Sequence, residues 1–369
     1  MSAYLLLFLI VTLLSIIVSY NKNKTLNIIL TILIILILSI FGGARNLNIG
    51  TDVSVYGESW FKIACSYNDL GSYITHINSN DNGYVILNYI VSRFSNNINV
   101  FLFVLQLISN TLIIFTIYKH KDKSPFWMAI LTYICIYYCI TFNILRQSLA
   151  LAILFFSINF LEKKKDISFI ITVLIASQFH YTAYIGLIIY LIYKLMNSKI
   201  KNKRKVIISI ILIALISVIF LKEILSILYK FNIINYRLYH YVSKATTGLN
   251  INYIESIFKL YFILLFLLST KLKKYNNSKE IIFIIFMFLD FILYQTKTII
   301  SYTDRLSFYF GYFSIITYPM IIKKFSNQKE NKFIIRSITV VILLIYWYYK
   351  FVYSGSCEVF PYESDILKI

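Results

Sequence analysis

The chain has 369 residues, 59% hydrophobic and 14% charged, with 10 glycines, 3 prolines and a formal net charge of +20. A soluble chain carries about 25% charged residues and more turn-forming punctuation, which excludes a water-soluble globular fold. The positive charge does not point to nucleic acid, because the lysines cluster in short loops between apolar runs, where membrane topology and anionic headgroups account for them.

Apolar runs of about 20 residues, the length that crosses a bilayer, recur from end to end. The first, AYLLLFLIVTLLSIIVSY, has no basic residues before it and no small-residue cleavage site after it, so it reads as a span and not a removed signal. Basic clusters follow at NKNK (Asn21–Lys24), KHKDK (Lys119–Lys123), EKKKD (Glu162–Asp166), KLMNSKIKNKRK (Lys194–Lys205), KLKK (Lys271–Lys274) and Lys323–Lys332. Each is expected on the cytoplasmic side. Threading spans between them predicts an all-α, polytopic membrane protein with about twelve crossings and both termini outside. The spans are 3–20, 25–41, 98–118, 125–141, 143–161, 167–179, 181–194, 206–222, 251–270, 281–297, 305–322 and 333–352.

The whole chain, 1–369, then forms one transmembrane domain. Residues 42–97 and 223–250 are outer-face loops with amphipathic helices, and 354–369 is an outer tail. Residues 167–194 are too few for two full crossings and predict a short broken pair turning at SQFHYTAY. Residues 82–95 are too short to cross and are expected in the outer interface. Cys135 and Cys139 read as packing residues. Cys65 and Cys357 fall on one side, which leaves a disulfide open, and no cysteine pair has metal-ligand spacing.

Seven of the 36 basic side chains are arginines. Arg204 and Arg336 flank cytoplasmic clusters, but Arg45, Arg93, Arg146, Arg237 and Arg305 fall on the outer side or just inside outer helix ends. Guanidinium offers a planar fork that matches phosphate oxygens and holds its charge when partly desolvated. The alternative for each is snorkelling to headgroups or pairing with a carboxylate, as Asp304 could do for Arg305; Arg93 suits that reading best. Arg146 in FNILRQSLALAILFF, followed by Gln147, is set into an apolar helix, where an ionisable residue is a functional candidate.

His180, at the turn between two short helices, is a candidate general base, with His240 beside Arg237 as the second; a satisfied interior histidine is the alternative. In ARNLNIGTD, Gly50 relieves a tight backbone and Thr51 or Asp52 is expected to cap a helix beginning near Val53. The same turn, with Arg45 alongside, suits an anion.

Six segments in order, ARNLNIGTDVSVY, DNGYVILNYIVSRF, FNILRQSLALAI, SQFHYTAY, DRLSFYF and PYES, resemble the EpsG family of exopolysaccharide proteins, related to Wzy-type polymerases of O-antigen and capsule. The resemblance covers nearly the whole chain. It implies a Wzy-like, GT-C-like membrane glycosyltransferase in the bacterial cytoplasmic membrane, with its active site facing outside. Such an enzyme transfers a glycan from undecaprenyl pyrophosphate onto a lipid-linked repeat unit.

On that reading Arg45, Arg146 and Arg305 bind the pyrophosphate, Arg237 grips donor or acceptor, and His180 is the base with His240 behind it. Asp52, Tyr56, Gln147, Tyr181 and Tyr302 support them. No metal, cofactor or nucleic acid is expected; the expected partners are lipid-linked oligosaccharide, membrane lipids and a chain-length regulator. A lipid-linked glycan ligase, or a flippase of lipid-linked oligosaccharide, is the competing reading. The absence of repeated halves weighs against the flippase.

Overall fold

The computed structural model describes residues 1–231, 253–272, 278–298, 303–325 and 332–369. All regular structure among them is helical. The described chain divides into two compact units, Met1–Leu187 with Tyr318–Ile369, and Ile188–Thr317.

In the first unit, α1 (Ser2–Tyr20) and α2 (Lys24–Gly43) form a hairpin whose turn is closed by Asn23, which accepts from the Leu26 amide at 3.1 Å. Three short helices follow between α2 and α6: α3 (Ser59–Ser66), α4 (Leu70–Ile77) and α5 (Asn82–Ser92). They share a small core of Ala64, Tyr73 and Val85, so this segment is folded. Arg93 closes it, donating to the Ala64 carbonyl at 2.6 Å and lying 4.5 Å over the Tyr89 ring. Its partners are a backbone carbonyl and an aromatic ring, where the sequence suggested headgroups or a carboxylate.

Next come α6 (Ile98–Lys119), α7 (Phe126–Tyr133), α8 (Leu145–Glu162) and α9 (Asp166–Phe179). α6 packs on α2 and α8, and α9 packs on α8. Apolar side chains cover the outward faces too: Leu5, Leu9 and Leu13 on α1 and Ile29, Ile32 and Leu36 on α2 are exposed. A helix apolar on both faces suits lipid. Between helices, where lipid removes the hydrophobic drive to associate, polar contacts join the elements. Tyr133 donates to Asn110 at 2.7 Å, and Asn110 donates to Ser39 at 3.2 Å.

Basic clusters from distant parts of the sequence meet at one end of this unit. Lys123 pairs with Glu162 at 2.7 Å, His120 faces the same carboxylate at 3.4 Å, and Lys323 donates to the Asp122 carbonyl. The start of α7 lies there too, its Trp127 amide donating to Ser19 at 3.0 Å, beside the Asn21–Lys24 turn. At the other end of α6, Asn99 donates to the carbonyls of Gly43 and Arg45 at 2.8 and 2.9 Å. The 22 residues between these ends span about 33 Å, the thickness of a bilayer core.

The C-terminal tail lies along the Arg45 end. Tyr362 stacks on Phe41 with centroids 3.9 Å apart and donates to the Phe41 carbonyl at 2.7 Å. Backbone amides of Asn46 and Gly50 donate to the carbonyls of Glu363 and Glu358 at 2.9 and 3.1 Å. The tail is therefore a strap over the loop that follows α2. Tyr362→Ala is expected to remove about 3 kcal/mol of stability, read as a lower unfolding midpoint of the purified protein in nanodiscs.

In the second unit, the helices are α11 (Lys203–Ile219), α12 (Leu221–Lys230), α13 (Tyr253–Leu272), α14 (Ser278–Tyr294) and α15 (Phe308–Gly311). Before them α10 (Gly186–Asn197) runs out of the first unit, and after them α16 (Ser314–Phe325) runs into it; α17 (Lys332–Trp347) belongs wholly to the first unit.

Among the described residues five helices are long and apolar enough to cross a membrane: α1, α2, α6, α8 and Phe333–Tyr353, with the α11–α12 pair, bent by 73°, as a sixth. Of the other predicted spans, 251–270 is met by the 20-residue α13, and the rest are shorter or interrupted. Residues 126–142 pass from α7 into a π-helical and then a 3-10 segment, and 305–322 is split among a 3-10 turn, α15 and α16. All four cysteines are free thiols, so Cys65 and Cys357 form no disulfide.

Candidate active site

The loop after α2 is built around Arg45, which is fully buried. Its guanidinium donates to three backbone carbonyls: Ile49 at 3.3 Å, Phe142 at 3.2 Å, and Gly42. It also lies 4.6 Å over the Phe142 ring. Burial pulls this group down to about 10, which leaves it charged at neutral pH. The fork is thus turned into the protein's own backbone.

Gly50 lets the loop close. Its φ is +95°, and a Cβ there would fall 2.3 Å from the Phe142 carbonyl oxygen. The helix that begins at Val53 is capped differently from the sequence expectation. Asp52 makes no side-chain cap, and Asn143 reaches across from the start of α8, its Oδ1 accepting from the Thr51 hydroxyl and from the Asp52 amide at 3.1 Å. The turn from Phe142 to Asn143 is therefore clasped to the loop of Arg45 on both sides.

Three residues past Asn143, Arg146 points into the outer segment. Its Nη1 donates to Asp81 Oδ2 at 2.6 Å, and its plane lies 3.6 Å over the Tyr56 ring, with Trp60 at 5.4 Å. Tyr56 is held in turn by Tyr84, whose hydroxyl donates to the Tyr56 carbonyl at 3.0 Å. Nε is buried without a hydrogen bond, and among the described residues the guanidinium bonds only Asp81, through Nη1. Arg146 is still 18% exposed. A fixed, stacked guanidinium with one edge turned outward can receive an oxyanion. Gln147, next in the chain, is buried in α8.

His180 is the one extended residue between α9 and the 3-10 turn Tyr181–Ile185, as the predicted break required. Its Nδ1 is 2.6 Å from the Thr182 hydroxyl, and its ring stacks on Tyr181, which is 51% exposed. The Tyr181 backbone amide faces the Asp81 carboxylate closely enough to stabilise its charge. Asp81 thus bonds Arg146 directly, and the Tyr181 amide favours its charged form. Burial pushes its carboxyl above the usual carboxylate range, against the opposing pull of Arg146 and of that amide.

A family model of the EpsG family matches residues 28–364. The chain belongs to the EpsG family. No curated protein and no solved structure matches it. As an EpsG-family chain it is a membrane protein of exopolysaccharide biosynthesis. The match runs from within α2 to Ser364, and so takes in the Arg45 loop, Asp81, Arg146, the His180 turn and the tail that straps them.

Of the remaining candidates, only Arg305 falls among the described residues. Arg305 is half-buried in the 3-10 turn Thr303–Leu306, and neighbouring Asp304 reaches Lys297 at 3.5 Å, a partner the sequence did not suggest. Arg237, His240 and Tyr302 lie outside the described residues. The second unit holds a buried ion pair, Lys259 with Asp290, beside Tyr294, which donates to Glu255 at 2.8 Å. Sequence reasoning passed over this cluster, as it did Asp81, Trp60 and Asn143. The signal for Asp81 was on the page as the first residue of DNGYVILNYIVSRF.

Proposed function

We propose that the protein is a polysaccharide polymerase, a glycosyltransferase of the bacterial cytoplasmic membrane. It moves a glycan from undecaprenyl pyrophosphate onto a lipid-linked repeat unit at the outer face. The observation that carries this reading is the outward edge of Arg146, fixed by Asp81 and Tyr56 at the end of the bundle opposite the basic clusters, with His180 on the same carboxylate-linked rim.

In the reaction an acceptor sugar hydroxyl attacks the anomeric carbon of the donor. The bond from that carbon to the pyrophosphate oxygen breaks, and the electron pair leaves on undecaprenyl pyrophosphate. Arg146 stabilises the charge that develops there. The hydroxyl proton passes to the imidazole of His180, whose Nδ1 lies against the Thr182 hydroxyl.

Tyr56 orients Arg146, and Tyr181 and Gln147 shape the rim, with Asp52 beside it. Arg45 supports the loop from beneath. Arg305, Arg237, His240 and Tyr302 are candidates for ligand binding by the second unit. Twelve crossings with both termini outside follow if α13 and the short helices α7, α9, α10, α14 and α16 cross beside the long ones. α9, with 14 residues, reaches only about 21 Å and makes one arm of a broken pair.

The test is complementation of a deletion strain, with polymer length read on gels at matched protein levels. The deletion is expected to leave single repeat units at the outer leaflet. His180→Gln is expected to lower polymer yield about 10²–10⁴-fold, the usual contribution of a general base. Repeat units stalled on the cytoplasmic leaflet would instead identify a transporter.

A further inference from the structure

We propose that Asp81 is a positioning residue of the transfer site, a single carboxylate that sets the anion-binding edge of Arg146 and the His180 turn in register. The inference rests on the polymerase reading and adds a residue to it. Asp81 stands at the N-cap of α5, where an aspartate ordinarily accepts from the first amides of its own helix. It makes no such bond. Its carboxylate is turned the other way, onto Arg146 at 2.6 Å and towards the Tyr181 amide.

A local stabilising bond is thus given up for an ion pair with a distant helix. The carboxylate is 6% exposed, and its Oδ1 is buried without a hydrogen bond, a costly arrangement that helix α5 alone does not require. The approach is built into the backbone. A Cβ on Gly83 would fall 3.0 Å from the Gln178 Cβ and 3.1 Å from its carbonyl oxygen, so α5 and the end of α9 meet this closely because residue 83 is glycine.

The consequence is directional. Arg146 has one face on Tyr56 and Nη1 on Asp81, and still has further donors to offer. Without the carboxylate the guanidinium is free to rotate towards headgroups or solvent. The same loss releases the amide next to His180. Asp81 thereby fixes the charge stabiliser and the base together, though it need not touch substrate itself.

The experiment compares wild type, Asp81→Asn and Asp81→Glu as full-length protein in nanodiscs. It measures binding of unsubstituted undecaprenyl pyrophosphate, the unfolding midpoint, and polymer yield in cells. Asp81→Asn is expected to bind at least about tenfold more weakly, with polymer lost, because the amide supplies no charge to hold the fork. Asp81→Glu is expected to keep the wild-type midpoint and recover most of the binding, while polymer yield stays about tenfold down because the longer arm displaces both partners.

Wild-type affinity in Asp81→Asn with only a lowered midpoint would make Asp81 merely structural and overturn the proposal. Tighter binding by Asp81→Asn would overturn it differently, showing the carboxylate to be a plug that competes with the anion. If Asp81→Asn fails to fold, full polymer yield from Asp81→Glu overturns the proposal and reduced yield at an unchanged midpoint supports it. Failure of the wild-type protein itself to bind undecaprenyl pyrophosphate would bring down the underlying reading, and this inference with it.

Discussion

Arg146→Lys protein is expected to reach the membrane at normal levels and to make about 10²-fold less polymer. Lysine keeps the charge but not the plane. An ammonium at this position can pair with Asp81 or turn to an incoming phosphate, whereas the guanidinium holds Asp81 with Nη1 and still has further donors to offer. The contact with Tyr56 at 3.6 Å is also a planar stack that lysine does not reproduce. Polymer length and yield at matched protein levels read the effect. Wild-type polymer from Arg146→Lys would remove Arg146 from the site.

Arg45→Met is expected to fail in the opposite way, by loss of folded protein. The guanidinium is fully buried, and the carbonyls of Gly42, Ile49 and Phe142 lose their donors together. Each buried acceptor left unmatched costs about 1–3 kcal/mol. A total of about 3–5 kcal/mol is a large share of the stability of any domain. The unfolding midpoint and the amount of protein in the membrane should fall, while undecaprenyl pyrophosphate binding per folded molecule stays near wild type. Normal stability with lost binding would place Arg45 against the ligand after all.

The contrast between these two arginines shows where sequence reading stops. Both stood out as arginines on a side of the chain that disfavours positive charge, and that pattern is carried by residue type alone. What separates them is their partners. Those of Arg45 are backbone carbonyls, which every residue possesses and no sequence advertises. The main partner of Arg146 is Asp81, which lies 65 positions away and carries no local sign of the pairing.

Asn143 was hidden for a similar reason: an asparagine before an apolar helix carries no sign that it caps a different one. The break at His180 was legible because chain length forbids two full crossings between Asp166 and Lys194. The interruptions in 126–142 were not, since no proline or glycine marks them inside that segment and the π and 3-10 turns arise from packing. The meeting of basic clusters at one end of the first unit, by contrast, follows a rule that depends only on where lysines fall.

The most direct test of the polymerase reading is chain growth by the purified full-length protein in nanodiscs. The only substrate supplied is the undecaprenyl-pyrophosphate-linked repeat unit, with no nucleotide sugar and no second acceptor. The account predicts a ladder of longer lipid-linked glycans, released undecaprenyl pyrophosphate, and neither product from Arg146→Ala. Repeat units left unextended by active-folded protein, or extended only when a second acceptor is added, would contradict it.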